Sequence, residues 1–245
     1  MTAHRRLLLA DLLPLACAAA DPPPADPRVI VSAERDAEWA SYRHAYKAAA
    51  FFGAFTRKRP LIQAHMQLRP LKPGASLDGL SLRLVGEKTD VTIPVDRLGR
   101  AELPMLKQAY EDDAVLRLNR AKGLYYFSGR YSIKERADGQ YQAAELRAAC
   151  EQLLDAQRDS GYRLRLLGKR CLGVKFAYPA DQAEPQVQVE DAAHVLHTLP
   201  VLDAQPFESG GTGLFKVAIY RFADWPASGK VVAGGQPIAI GTTYE

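Results

Sequence analysis

The sequence predicts a mostly β protein of the α+β class: an antiparallel β-sandwich module with an N-terminal helix, followed by a second β-rich unit that carries one helix. Three observations support this prediction. Apolar side chains recur at every second position in many runs from residue 61 onward. Turn-forming pairs such as Pro-Gly and Asp-Gly separate these runs. Helical spacing of apolar residues appears in two stretches, within residues 33–60 and within residues 143–159.

Residues 1–20 have the order of a secretory signal peptide. A charged start with Arg5 and Arg6 precedes a leucine-rich stretch, and small residues follow up to Ala20. We therefore expect export, with cleavage after Ala20. Two alternatives stay open: an amphipathic N-terminal helix, and a lipid anchor at Cys17, whose surroundings partly resemble a lipobox. No other window has about 18 consecutive apolar residues, so the sequence predicts no transmembrane segment.

The cysteines are consistent with export. Without residues 1–20, Cys150 and Cys171 are the two that remain of three, and an oxidising compartment favours their pairing as a disulfide. Cys150 shares an apolar helical face with Leu146 and Leu153. Cys171 opens an apolar run that is typical of a strand and could lie beneath that helix. The alternative is two separate buried thiols.

Residues 21–32 are predicted to be a proline-rich linker, because proline lacks an amide donor and restricts the residue before it. Residues 33–60 are predicted to contain the N-terminal helix. Two aromatic groups fall on opposite faces of that helix: Trp39, Tyr42 and Tyr46 on one, and Phe51, Phe52 and Phe55 on the other. The helix should therefore end near residues 51–53 or be covered on two sides.

Residues 61–136 are predicted to form the β-sandwich module. Its strands are the runs LIQAHMQLRP, LDGLSLRLVG, TDVTIPVD, RAELP and DAVLRLN, followed by a longer strand. One face of that longer strand carries Tyr125, Phe127, Gly129, Tyr131 and Ile133.

Residues 137–245 are predicted to form the second unit. Its helix contains Cys150, and the run YRLRLLGKRCLGVKFAYP is expected to give two strands. Further strands are predicted in PQVQVED, AHVLHTLPV, TGLFKVAIYRFADWP, GKVVAGG and PIAIGTTYE.

The run VTIPVDRLGRAELP, residues 91–104, raises the question of whether Asp96 is a working carboxylate. Aspartate caps its own backbone in turns, and Gly99 is free to take a positive φ, so we interpret Asp96 as a turn residue. Together with the following DAVLRLN, this run resembles the turn-and-strand region of transthyretin-like, or carboxypeptidase regulatory-like, β-sandwich modules.

The whole chain, with its leader and the segments YRHAYKAAAFF, CLGVKF and YRFADWP, resembles an uncharacterised family of exported proteobacterial proteins. The resemblance implies a periplasmic location in a Gram-negative bacterium and supplies no catalytic residues. Sandwich modules of this kind typically act as accessory or interaction domains.

The charge pattern argues against nucleic-acid binding. The formal net charge is +4, but acidic and basic residues alternate along most of the chain. The densest basic runs, residues 57–59 and 169–170, are short, whereas nucleic-acid-binding proteins usually carry a basic stripe or patch.

The candidate metal ligands are few. His194 and His197 lie three residues apart, with Glu190 and Asp191 as the nearest acids, a spacing that would put both imidazoles on one face of a helix. Surface or partly buried histidines are the simpler interpretation. The acids at residues 111–113 lack the spacing of a calcium-binding loop and are interpreted as a solvated turn.

No catalytic pattern is present. The sequence has no G-x-S-x-G and no S-x-x-K motif, and no carboxylate pair is distinguished from the rest. Residues 209–213, SGGTG, lack the Lys-Ser/Thr of a phosphate-binding loop and are interpreted as a flexible loop. The aromatic groups around Tyr42 and Tyr125 suit core packing better than ligand stacking. Tyr126, out of phase with its neighbours, is expected to be exposed.

These observations favour a non-enzymatic exported protein that binds an unknown envelope component or partner protein. One alternative is a hydrolase of cell-wall or surface polymers whose carboxylates the sequence does not identify. A weaker alternative is a metal-binding protein that uses His194 and His197. No cofactor is expected.

Overall fold

The structure, a computed structural model, describes residues 37–72, 74–191, 193–208 and 213–245. The predicted signal peptide, Cys17 and the linker at 21–32 lie outside these ranges. Within them the protein is mostly β, with antiparallel sheets and few helices, which confirms the predicted fold class. No helix of the described residues is long and apolar enough to cross a lipid bilayer.

The elements are named in chain order. The helices of the described residues are α1 Tyr42–Thr56, α2 Lys107–Glu111 and α3 Ala143–Gln157, and α3 continues into a π-helical turn at Arg158–Tyr162. The first eight strands are β1 Ala37–Ser41, β2 Ile62–Pro70, β3 Ser81–Val85, β4 Asp90–Pro94, β5 Arg100–Ala101, β6 Val115–Ala121, β7 Tyr125–Ile133 and β8 Gln140–Gln142. The remaining strands are β9 Cys171–Tyr178, β10 Val187–Glu190, β11 Leu196–Thr198, β12 Val201–Ala204, β13 Phe215–Arg221, β14 Lys230–Ala233 and β15 Ala239–Tyr244.

These strands form three sheets. One four-stranded sheet has the order β1-β6-β3-β4, and a second has the order β11-β10-β14-β8. The seven-stranded sheet has the order β12-β13-β9-β15-β7-β2-β5 and contains strands from both sides of residue 136. The strand pairs of the described residues are antiparallel.

The register within the seven-stranded sheet determines where the sheet opens. β2 and β7 pair along their full lengths, from Ile62 opposite Ile133 to Pro70 opposite Tyr125. In contrast, β7 and β15 pair at one position, Ile133 with Ile240. The far halves of β7 and β15 are therefore not joined by a ladder, and side chains from both strands line the space between them.

Apolar side chains fill a core beneath α3 and a second core beneath the first four-stranded sheet. Leu146, Leu153 and Phe176 are completely or almost completely buried in the first. The second contains Tyr42 from α1 and the alternate leucines of β3 and β6. Strand alternation thus places one face of β3 and one face of β6 in a core, as the period of two predicts.

The N-terminal helix begins later than predicted. The sequence assigns it to residues 33–60, but residues 37–41 form β1, whose Ser41 lies opposite Val115 of β6. The amide of Tyr42 donates to the carbonyl of Ala114 at 3.0 Å. Helical spacing in residues 37–41 is therefore overridden by pairing with a strand more than 70 residues away, which spacing alone does not reveal.

Helix α1 is covered on two sides, the second of the two predicted outcomes. Tyr42 and Tyr46 face the core of the first four-stranded sheet. Phe52 and Phe55 pack against the core beneath α3. Because both faces find apolar partners, the helix continues through residues 51–53 to Thr56.

The predicted strand in residues 162–167 is wrong. This segment continues from the π-helical turn through a series of turns, and Gly161 has a φ of 111°. The amide of Leu166 bonds the carbonyl of Tyr162 at 3.1 Å, so local turns use the backbone groups that a sheet ladder would need. Leu164 and Leu167 are 89% and 77% exposed.

Candidate functional site

A groove runs between α1 and the β2–β7 part of the seven-stranded sheet. We call it the α1 groove. Its volume is about 760 Å³, within the range of ligand sites. One wall is α1, the floor is formed by β2 and β7, and the opposite wall is the chain that follows β5. The residues that define it are Ala45, Ala49, Gly53, Met66, Met105 and Phe127.

The groove exists because α1 has small side chains where it faces the sheet. Ala45, Ala49 and Gly53 bring little volume, and a Cβ added at Gly53 would have no neighbour within 4 Å. The lining is mainly apolar, and its ionisable members are His65, Glu102 and Tyr162. An apolar concavity with few polar groups is the usual form of a small-molecule site.

A smaller pocket adjoins the groove in the opening between β7 and β15. We call it the arginine pocket. Its volume is about 90 Å³, and it shares Phe52, Gly129 and Tyr162 with the α1 groove. About 10–15 Å³ of such space holds one water molecule, so the pocket has room for a small polar group. The charged and polar residues that line it are Arg69, Arg130, Arg165, Tyr131, Tyr162, Gln157 and Tyr244.

Positive charge is concentrated in the arginine pocket. Burial, together with the nearby charge of Arg69, lowers the pKa of Arg130 to about 10, so Arg130 remains a cation at neutral pH. Burial is also the largest effect on Tyr244, raising its pKa, while Arg165 and Arg130 act in the opposite direction. Three guanidinium groups thus act on one small space.

The nearest carboxylates are bound to other cations. Glu208 lies beside Arg130 and Tyr244 but forms an ion pair of 2.8 Å with Lys175. Asp159, close to Tyr131, pairs with Arg59 at 2.5 Å. Neither Arg69 nor Arg165 forms an ion pair with another described residue.

Asp96 belongs to a buried hydrogen-bond network around Arg100, and its contacts there show its role. One carboxylate oxygen of Asp96 accepts from the amides of Leu98 at 2.9 Å and Arg100 at 2.8 Å, and the other accepts from the Arg100 Nε at 2.7 Å. Gly99 has a φ of 73°. Asp96 is therefore a turn residue, as the sequence predicts, and also the partner of a guanidinium that is 8% exposed.

The same network brings together Ser132 and His65, which sequence reasoning did not single out. The Ser132 Oγ lies 3.2 Å from the His65 Nε2 and 3.2 Å from Arg100 Nη1. Ser132 is fully buried, so a substrate carbonyl has no route to its oxygen. Burial and then the charge of Arg100 lower the pKa of His65 to about 4. This arrangement stabilises the sheet and is not a nucleophile with its base.

Two carboxylates of this network, those of Asp96 and Glu135, lie close together, and both pair with the guanidinium of Arg100. Glu135 Oε1 lies 3.0 Å from Arg100 Nη1, and its other oxygen accepts a hydrogen bond from the Gln63 amide. A hydrolase would need two carboxylates facing substrate across a cleft. Asp96 and Glu135 instead face the guanidinium of Arg100.

The predicted metal candidates lie in the turn between β10 and β11. His194 Nδ1 is 2.5 Å from Glu190, and His197 Nε2 is 2.9 Å from Asp191. Each imidazole is thus paired with its own carboxylate. No group of three or more potential ligands comes together in the part of the chain that the structure describes.

The remaining sequence candidates have structural contacts. Asp113 pairs with Arg43 at 2.8 Å, and Glu111 pairs with Lys107 at 3.4 Å within α2. The sulfur atoms of Cys150 and Cys171 are at disulfide distance, with their Cα atoms 6.0 Å apart, in agreement with the predicted pair. Residues 209–212 of the predicted flexible loop lie outside the described residues.

The aromatic residues divide as the sequence predicts, with one exception. Tyr42, Tyr125 and Tyr131 are buried, and Tyr126 is 37% exposed. The exception is Trp39, which is 53% exposed on β1 and lies under the ammonium group of Lys122.

Sequence reasoning missed the arginine pocket. Arg69 and Arg130 lie 61 residues apart and are brought close by the β2–β7 register, which places Arg69 opposite Tyr126 and Arg130 opposite His65. A signal was present: Gln63, His65, Gln67 and Arg69 alternate with apolar residues along β2. A polar face on a central strand indicates a network or a site rather than a core.

Comparison of the chain with protein families, with curated proteins and with solved structures found no match. The fold and the candidate site therefore give the structural class of the protein. It is a mostly β protein with antiparallel sheets, an apolar groove and an arginine-lined pocket at one end of that groove.

Proposed function

We propose that this protein is a non-enzymatic binding protein of the bacterial envelope, which holds a small ligand in the α1 groove. One observation carries the proposal: the groove is a preformed, mainly apolar space of about 760 Å³. Apolar surface that a ligand could cover is costly to leave in water, at roughly 25 cal/mol per Å². The polar clusters around Arg100 and around His194 and His197, by contrast, are paired with internal partners.

Export is the second part of the proposal. The order of charge, apolar stretch and small residues in residues 1–20 favours it. The Cys150–Cys171 pair supports it, because disulfides persist mainly in oxidising compartments. Fractionation of the producing cell tests it: we expect periplasmic protein that begins at Asp21, and a cytoplasmic protein that keeps Met1 would refute it.

The groove is tested by filling it. Gly53→Leu adds a side chain where a Cβ meets nothing within 4 Å, and it also removes a glycine from a helix interior. The variant should fold and should lose binding of a neutral apolar dye, N-phenyl-1-naphthylamine, by 10-fold or more. Ala54→Leu is the matched control, since Ala54 is an exposed neighbour that does not line the groove. Equal dye binding by both variants would contradict the proposal.

A further inference from the structure

The α1 groove and the arginine pocket are adjacent. Phe52, Gly129 and Tyr162 line both. At their junction the Phe52 ring lies directly over Gly129, where an added Cβ would come within 2.5 Å of the ring. Strand alternation puts the side chains of Arg69 and Arg130 on the sheet face opposite Met66 and Phe127. A molecule that extends along the groove would therefore reach these guanidinium groups at the edge of β7, where β7 and β15 pair only at Ile133 and Ile240.

Arg69 and Arg165 bring positive charge to the arginine pocket, and neither forms an ion pair with another described residue. The Arg69 Nε is buried and has no hydrogen-bond partner, and the Arg69 guanidinium rests on the ring of Tyr126 at 5.3 Å. Arg165 extends into the same pocket from the segment after the π-helical turn. A buried donor without a partner is destabilising, so an oxyanion placed here would remove that penalty as well as add attraction.

We infer that the ligand is an amphiphile with one anionic head group, a carboxylate or a phosphate, bound among Arg69, Arg130 and Arg165, and with an alkyl chain in the α1 groove. This inference rests on the proposed function and names the ligand class of the same groove. Guanidinium groups bind planar carboxylate and phosphate oxygens through paired N–H donors. A cationic head would meet three like charges, and a neutral head would leave Arg69 and Arg165 without an ion-pair partner.

The loop that supplies Arg165 is consistent with an amphiphilic ligand. Leu164 and Leu167 flank Arg165 and Leu166, and both are largely exposed to solvent. Apolar and cationic side chains therefore alternate beside the pocket. The same combination suits the boundary between the head and the tail of an amphiphile.

Calorimetry with four probes tests the head and the tail separately, at concentrations below micelle formation. We expect dodecanoate and dodecyl phosphate to bind, and dodecyltrimethylammonium to bind at least 10-fold more weakly. Inorganic phosphate should also bind at least 10-fold more weakly than dodecyl phosphate, because it leaves the groove empty. The inference is overturned if the cationic amphiphile binds as tightly as dodecanoate, or if inorganic phosphate binds as tightly as dodecyl phosphate.

Substitutions locate the head group. Arg165→Gln and Arg69→Gln should each weaken dodecanoate binding at least 10-fold, since each removes a charge-assisted hydrogen bond to the carboxylate. Arg163→Gln is the matched control, because Arg163 is exposed and does not line the pocket. Both pocket variants should retain binding of N-phenyl-1-naphthylamine. Unchanged dodecanoate binding in both would place the head group elsewhere.

The experiments distinguish failure of the head-group inference from failure of the proposed function. If the neutral dye binds the protein and Gly53→Leu abolishes that binding, while anionic and cationic amphiphiles bind equally, the groove stands and only the head-group assignment is lost. If neither the dye nor any amphiphile binds, the proposed function itself is wrong.

Discussion

At the residue scale, Arg100 links three parts of the seven-stranded sheet through one side chain. It belongs to β5, contacts Ser132 of β7 and Glu135 beyond it, and donates to the carbonyl of Ile238 before β15. Asp96 holds its Nε. The carboxylate that the sequence identifies as a turn residue therefore also positions a buried cation on β5, at the edge of the seven-stranded sheet.

Replacement of Arg100 should be costly. Arg100→Met leaves the carboxylates of Asp96 and Glu135 without their buried partner, so we expect a loss of about 3–5 kcal/mol in the free energy of unfolding. Urea denaturation measures it. Arg83→Met is the matched control, because the Arg83–Asp90 pair is exposed, with both side chains more than half accessible, and its loss should change stability little. Equal effects of the two changes would contradict the account of the network.

His65 should make stability depend on pH. Its pKa is lowered to about 4 in the folded protein, against an ordinary value of 6.5, so the unfolded chain binds the proton first as pH falls. The free energy of unfolding should therefore decline between pH 6.5 and pH 4, by at most about 3 kcal/mol from this group. Denaturation at several pH values measures the slope.

Two variants separate the His65 contribution from that of other groups. His65→Gln should flatten the decline between pH 6.5 and pH 4, because the neutral amide does not titrate. His44→Gln, at an exposed site on α1, should leave the decline unchanged. A decline of the same size in the His65 variant would show that another group is responsible.

At the element scale, α1 and the segment after α3 show what local patterns predict and what they do not. Both aromatic faces of α1 were visible in the sequence: Tyr42 and Tyr46 pack on one core, and Phe52 and Phe55 pack on another. Phe51, however, is 50% exposed. The start of the helix was not visible, because residues 37–41 are extended by pairing with β6. Alternation in residues 162–167 predicted a strand, yet turn hydrogen bonds form there instead.

Packing of α1 on β7 depends on one glycine. An added Cβ at Gly129 would lie 2.5–2.7 Å from three ring atoms of Phe52, so Gly129→Ala should displace the ring and cost about 1–3 kcal/mol. Gly53 lies on α1, and a Cβ added there meets no neighbour within 4 Å. Gly53→Ala should therefore stabilise the protein by about 0.5–1 kcal/mol. Thermal unfolding of both variants measures the difference in sign, and a stabilising Gly129→Ala would refute this packing.

At the scale of the whole molecule, the fold class was predictable and the candidate site was not. Alternation and turn pairs predicted most strands of the three sheets, but not β1, and the cysteine count together with the expected export predicted the Cys150–Cys171 pair. The arginine pocket depends on the register of β2 with β7 and on the opening beside β15. Register joins residues far apart in sequence, so no local pattern could place Arg69, Arg130 and Arg165 together.

The disulfide should contribute to global stability. Cys150 and Cys171 are separated by 21 residues, and closing a loop of this length restricts the unfolded chain by roughly 3 kcal/mol. Cys150→Ala with Cys171→Ala should lower the free energy of unfolding by about that amount, measured by urea denaturation. Reductant should destabilise the parent protein comparably and leave the double variant unaffected. A double variant as stable as the oxidised parent would contradict the pairing.

The crystal structure of the protein with dodecanoate tests the central claim most directly. The account predicts electron density for the carboxylate between the guanidinium groups of Arg69, Arg130 and Arg165. It also predicts that the alkyl chain passes Phe52 and lies along α1 against Met66 and Phe127. Density for the ligand at any other surface, with the α1 groove and the arginine pocket left to solvent, would contradict the account.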